Sequence, residues 1–119
     1  MKRKPSPPVV RWAHGPYKDT VDSMPDSDEA TRRDAWPRWR NESGAVLSRL
    51  ARGLNPPRSR CPILVIISGQ DTDVSPALSR ATARRLRADV KTLPTASHVG
   101  PLLGRDAAKV AGSVVRWLR

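Results

Sequence analysis

The chain has no phenylalanine, one tyrosine and one cysteine among its 119 residues. A lone thiol, Cys61, can form neither an internal disulfide nor a cysteine-based metal cluster, and such usage fits a reducing compartment. Four tryptophans make up most of the aromatic complement, and none interleaves with the compact basic run at Lys2–Lys4 as stacking platforms for bases would. No apolar run is long enough to span a bilayer, and the opening "MKRKPSPPVVRW" lacks the apolar core of a secretory signal. The expectation is no membrane association and a cytoplasmic location. Acids are scarce too: 11 face 22 Lys and Arg, for a formal charge of +11.

That charge suggests an anionic partner such as nucleic acid. The arginines are scattered, however, and the one compact basic run is Lys2–Lys4. No zinc-finger spacing, RNP-like run or heptad basic region occurs. A compositional bias toward arginine explains the charge equally well, so nucleic acid stays an unspecific partner reading.

Hydrophobic residues make up 38%, low for a self-sufficient domain but outside the disordered range. The chain divides at about residue 60, with eight of the 12 prolines in the first part. Residues 1–60 read as an irregular and helical segment. Its opening, through "GPYKD", carries prolines and mixed polarity that argue against a regular element. "DSDEATRRDAW" suits a short helix, with acids early and arginines late, ended by Pro37. "NESGAVLSRLARGL" places Val46, Leu47, Leu50 and Leu54 on one helical face, with Gly53 near its end.

Residues 61–119 are more strongly patterned. "PILVII" (Pro62 to Ile67) is a continuous β-branched run, as in a strand buried on both faces, with Cys61 a small buried residue at its start. "PALSRATARRLRA" opens with Pro76 in a first-turn position and directs Leu78, Ala81 and Leu86 toward a core. "DVKTL" (Asp89 to Leu93) is a second strand. "DAAKVAGSVVRWLR" sets Ala107, Val110, Val114, Trp117 and Leu118 at helical spacing. The order strand, helix, strand, helix is an α/β arrangement with one parallel βαβ unit. A two-stranded parallel sheet leaves two open edges, so self-association or a partner along the sheet edge is expected.

In open parallel sheets, functional groups collect on loops beyond the carboxyl ends of the strands. Asp71 and Asp73, in "SGQDTDVSP", follow the first strand, and His98, in "LPTASHVGPLLG", follows the second. Neighbouring strands would bring these loops together, where an Asp can fix a His tautomer for acid–base work. Taken singly, Asp71 is a turn former and His98 a surface histidine; only the pair points to chemistry.

"CPILVIISGQDTDVSPALSRATARRL" followed by "VKTLPTASHVGPLLGRDAAKVAGSVVRWL" resembles the C-terminal part of an α/β-hydrolase, over about half the chain. The resemblance implies that fold's last two parallel strands with flanking helices, preceded by a cap-like helical segment in residues 1–60. It implies Asp71 as catalytic acid, because Val74 and Ser75-Pro76 fall where the family has an apolar residue and a proline-containing helix start. Asp73 is the alternative acid, and otherwise a turn or cap residue. His98 becomes the general base, with Ser97 standing where the family has glycine. The substrate class is an ester-like small molecule, and neither a cofactor nor a metal is implied. Trp36 and Trp39 could then line an acyl pocket.

The family's Gly-x-Ser-x-Gly nucleophile elbow lies upstream of the acid. Here Ser43 has Asn41 two residues before it and Ser68 has Ile66, so neither serine has that frame. The expectation is a truncated or incomplete hydrolase, or a non-catalytic remnant that binds a partner. "DTDV" also resembles the Asp-x-Asp of dehalogenase-like phosphatases, but in that family the first Asp follows its strand directly, whereas Ser68, Gly69 and Gln70 intervene here. His14, in "WAHGPY", is read as loop, since Pro16 has no N–H to donate to an oxyanion.

Overall fold

The computed structural model describes residues 7–119; the basic run Lys2–Lys4 lies outside the described residues. The order of elements is β1 (Val9–Val10), α1 (Tyr17–Ser23), α2 (Glu29–Ala35), a 3₁₀ turn (Trp36–Arg38), β2 (Glu42–Ser43), α3 (Gly44–Ala51), β3 (Leu64–Ser68), α4 (Pro76–Leu86), β4 (Asp89–Leu93), α5 (Gly100–Leu103) and α6 (Ala107–Leu118). Helices and strands are mixed, in a small α/β arrangement.

β3 and β4 pair in parallel, from Leu64 opposite Asp89 to Ser68 opposite Leu93, with α4 as the crossover. The first strand begins at Leu64, two residues later than the apolar run. Ile67 and Ser68 at its carboxyl end are buried, whereas Leu64, Val65 and Ile66 are only half-buried, so the expectation of burial on both faces holds only at that end. Cys61 is exposed, a correction. It sits in a bend where the Ser59 hydroxyl accepts from its N–H and donates to its carbonyl, both at 3.0 Å.

α4 starts where Ser75 and Pro76 dictate: the Ser75 hydroxyl accepts from the N–H of Leu78 and proline occupies the first turn. Its buried face differs from the expected one. Ala83 is buried and Leu86 half-buried, but Ala81 is exposed and Leu78 is 57% exposed. The helix contains apolar residues on two faces, and β3 covers one. On α6, Val110 is buried and Val114 and Trp117 are half-buried, with the Trp117 indole N–H donating to Asp89 at 2.8 Å. Leu118, expected inward, is 69% exposed in the final turn.

The first part carries more regular structure than its prolines suggest. α1 forms where no element was expected. Pro16 supplies an extended residue ahead of it, Asp19 lies in its first turn, and its buried Thr20 hydroxyl accepts from the Trp39 indole at 2.9 Å. That tertiary contact stabilises a seven-residue helix too short to persist alone. α2 matches its expected place, capped by Asp28, which accepts from the N–H of Thr31 at 2.7 Å. Pro37 ends it in the 3₁₀ turn. α3 is capped by Ser43 and ends at Ala51, so Leu54, expected on its apolar face, lies beyond the helix; Val46, Leu50 and Leu54 are all about half exposed.

The buried apolar side chains among the described residues are Met24, Ile67, Ala83 and Val110. The accessible surface is 9469 Å², against about 6,400 Å² for a compact protein of this mass. The radius of gyration is 15.9 Å, where a compact chain of this length gives about 13.5 Å. Such an open structure leaves apolar surface for another body to cover.

Candidate functional site

Beyond the last paired residues the two strand ends stay joined. The N–H of Gly69 donates to the Leu93 carbonyl at 2.8 Å, and the N–H of Gln70 to Ala96 at 2.9 Å. The Gln70 side chain adds a bond to the Pro94 carbonyl at 3.3 Å. This approach needs glycine: a Cβ on Gly69 would lie 2.3 Å from the Pro94 oxygen, which is backbone and cannot swing aside.

The two loops then place Asp71 against His98, with the carboxylate Oδ2 2.9 Å from the ring Nδ1. The other oxygen, Oδ1, accepts from the N–H groups of Asp73 at 2.9 Å and Val74 at 2.8 Å. Both carboxylate oxygens are therefore engaged, and the Asp71 side chain is 9% exposed while the imidazole is 44% exposed. Burial alone would raise the Asp71 pKa. The N–H of Val74, the His98 ring and the N–H of Asp73 outweigh it and hold the group below its ordinary value. An ionised carboxylate can only accept, so Nδ1 is the donor, and a neutral imidazole then keeps Nε2 free as a base.

Of the two aspartates, Asp71 is the one bonded to His98. Asp73 is exposed and contributes its backbone N–H to the turn; the cap of α4 is Ser75, not Asp73. The ligand atoms of Asp71, Asp73 and His98 lie within 4.8 Å of one another, a spacing that a divalent cation could bridge. Such an ion would have to compete with the hydrogen bonds that already occupy both oxygens of Asp71 and Nδ1 of His98.

The loop that carries His98 is fastened from the first part of the chain. Ser97, which is buried, donates its hydroxyl to Asp26 Oδ1 at 2.5 Å and its N–H to Asp26 Oδ2 at 2.9 Å. Nearby, the N–H of Arg105 donates to the Asp26 carbonyl at 3.0 Å, and the Ser27 hydroxyl to Leu103 at 2.7 Å. Burial raises the Asp26 pKa, but the two bonds from Ser97, aided by Arg105, bring it below the usual carboxylate range. Sequence reasoning did not find Asp26. The available signal was Ser97, a residue with a hydroxyl just before the candidate base.

Trp36 and Trp39 are both tied to α1 and the turn before it. Their indole N–H groups donate to the Gly15 carbonyl at 2.8 Å and to Thr20 at 2.9 Å, within the first part of the chain. His14 lies in a turn with φ of 62°. An open groove of about 780 Å³ runs beside β4, bordered by Asp26, Leu93, Ser97, Arg105 and Lys109. Asp71 and His98 do not border it, so cavity size alone would misplace the candidate site. No hydroxyl or thiol among the described residues is hydrogen-bonded to His98.

Comparison with protein-family models, with curated proteins and with solved structures gave no match to this chain.

Proposed function

We propose that this chain supplies the acid–base half of an α/β-hydrolase-type site for ester-like substrates, with Asp71 as the orienting acid and His98 as the general base. The observation that carries this reading is the 2.9 Å bond between Asp71 Oδ2 and His98 Nδ1, formed across the carboxyl ends of adjacent parallel strands. A nucleophile hydroxyl brought to Nε2 would give up its proton there as its oxygen bonds to the substrate carbonyl carbon. The imidazolium, stabilised by Asp71, would return that proton to the departing alkoxide as the ester C–O bond breaks. Water would then release the acyl group by the same exchange. The hydroxyl and the oxyanion donors come from a further body, which the reading places along the unpaired edge of β3. The half-buried Leu64, Val65 and Ile66 and the large exposed surface favour such a partner.

The test is to recover the protein from its own cells, measure its intact mass and treat it with a fluorophosphonate probe. The expected result is a labelled serine, in a longer product or in a companion chain, whose labelling is lost on His98→Ala while the association persists. A lone product of 13.1 kDa that neither carries label nor brings a labelled companion would end this reading.

The +11 charge supports a second reading, nucleic-acid binding. Among the described residues it has a focus on α4. Arg80, Arg84 and Arg87 are exposed at i, i+4 and i+7 along α4 and its cap, and α4 contains no acid. Affinity for duplex DNA that falls steeply with salt, and drops on Arg80→Glu/Arg84→Glu/Arg87→Glu, would favour it. Salt-independent or undetectable binding would exclude it.

A further inference from the structure

We infer that Asp26 is a positioning residue for His98, so that residues 24–27 act as a clasp that sets the orientation of the imidazole. The inference rests on the acid–base reading above and extends it to the first part of the chain.

Apart from its ring bond to Asp71 and the backbone bonds at Ala96 and Gly100 in its loop, His98 has no anchor of its own. It is an exposed side chain on a loop that joins β4 to α5, a helix of four residues. The residue before it, Ser97, is fixed through both its hydroxyl and its N–H by one carboxylate. Two bonds to separate atoms of one residue restrain rotation as well as position. They therefore fix the direction in which the backbone leaves Ser97 and enters His98. An error of about 1 Å there is enough to remove a hydrogen bond.

The clasp is itself anchored. Met24 and Ser27 are completely buried. Arg32, on α2, donates to the carbonyls of Met24 at 2.9 Å and Pro25 at 3.1 Å. On the loop side, Gly100 leaves the space that the carboxylate fills, since a Cβ there would lie 2.1 Å from Asp26 Oδ2. The carboxylate, the serine, the glycine and the anchoring arginine thus form one arrangement, centred one residue from the imidazole.

The readout is the ring tautomer of His98, from long-range ¹H–¹⁵N NMR of the full chain at about pH 9, where an ordinary imidazole is neutral. A free imidazole carries its proton mainly on Nε2, whereas the Asp71 bond holds it on Nδ1. The wild type should show the Nδ1–H form as the major species. Asp26→Ala should lose that form in a protein that stays folded by circular dichroism. Asp26→Asn, which can still accept from the Ser97 N–H, should restore most of it. Gly100→Ala should reproduce the loss with Asp26 still present.

A folded Asp26→Ala protein that keeps the Nδ1–H form would overturn the inference and leave the Asp71–His98 pair intact. Absence of the Nδ1–H form from the wild type would instead remove the pair, and the acid–base reading with it. Should Asp26→Ala not fold, Ser97→Ala decides the matter by removing only the hydroxyl contact. A reduced Nδ1–H fraction supports the clasp, and an unchanged fraction overturns it.

Discussion

Two loops meet at the carboxyl edge of the sheet, and they are held in different ways. The Asp71 loop closes on itself: its carboxylate accepts from the N–H groups two and three residues later, and Ser75 and Pro76 start the next helix at once. The His98 loop has its own backbone turns, with the N–H of Ala96 donating to Leu93 and that of Gly100 to Ser97, but its side-chain bonds run to a distant residue. The loop is fastened by Asp26, 71 residues earlier in the chain than Ser97. A turn built from its own neighbours forms wherever those residues stand, while a loop held from a distance depends on the packing of everything between. The histidine of this pair is therefore the more sensitive to change elsewhere in the molecule.

The contrast is broken most severely at Gly69, where the two loops meet. Gly69→Ala drives a Cβ into the Pro94 carbonyl, and overpacking of this kind costs about 1–3 kcal/mol. Urea unfolding should show the loss, and the Nδ1–H signal of His98 should disappear with it. An unchanged midpoint would mean that the strand ends are not held this close.

Next in size is Asp71→Ala, which removes the acceptor for two backbone N–H groups and for the imidazole. The turn is exposed enough for water to replace part of this, so the expected cost is about 1 kcal/mol. The His98 proton should move to Nε2 while the Ser97 amide stays where Asp26 holds it. A large shift of the Ser97 amide resonance would show that the two loops are not independently held.

Acid acts more gently, because protonation leaves the carboxyl groups in place. Asp71 and Asp26 both have folded-state pKa values below the ordinary one. Between the folded and unfolded values the unfolded chain takes up protons that the folded chain does not, so stability falls as pH falls. The stability they contribute is fully present above about pH 5 and is lost below about pH 4 as the depressed values are approached. Asp71→Asn and Asp26→Asn should each flatten that decline in a thermal-unfolding series. Curves that superimpose on the wild type would show that these carboxylates are not the groups responsible.

Asp73→Ala should do least. Its side chain is exposed and its part in the turn is played by the backbone N–H, so stability should stay within about 0.5 kcal/mol and the His98 tautomer should not change. A loss of the Nδ1–H form would move the acid role toward Asp73.

Most of the second part was legible from residue order. The β-branched run located β3, "DVKTL" matched β4 residue for residue, and Ser75-Pro76 marked the start of α4, because these signals act over a few residues. The candidate pair was legible as well, since parallel neighbours place both following loops at one edge. α1 was not, because its Thr20–Trp39 contact joins residues 19 apart. The inward face of α4 was also hidden. Leu78 and Leu86 are equally apolar in the sequence, and only the position of β3 selects Leu86 and Ala83 over Leu78.

What the sequence by itself determined was the set of parts: two short strands, the helix between them, a self-closing Asp71 turn and a histidine after the second strand. Each follows from propensity, capping or turn chemistry among near neighbours. Only the tertiary structure decided that Asp71 rather than Asp73 meets His98, that Gly69 lets the loops close, and that Asp26 holds Ser97. Those outcomes depend on atoms brought within 3 Å by the packing of distant segments, which local chemistry does not encode.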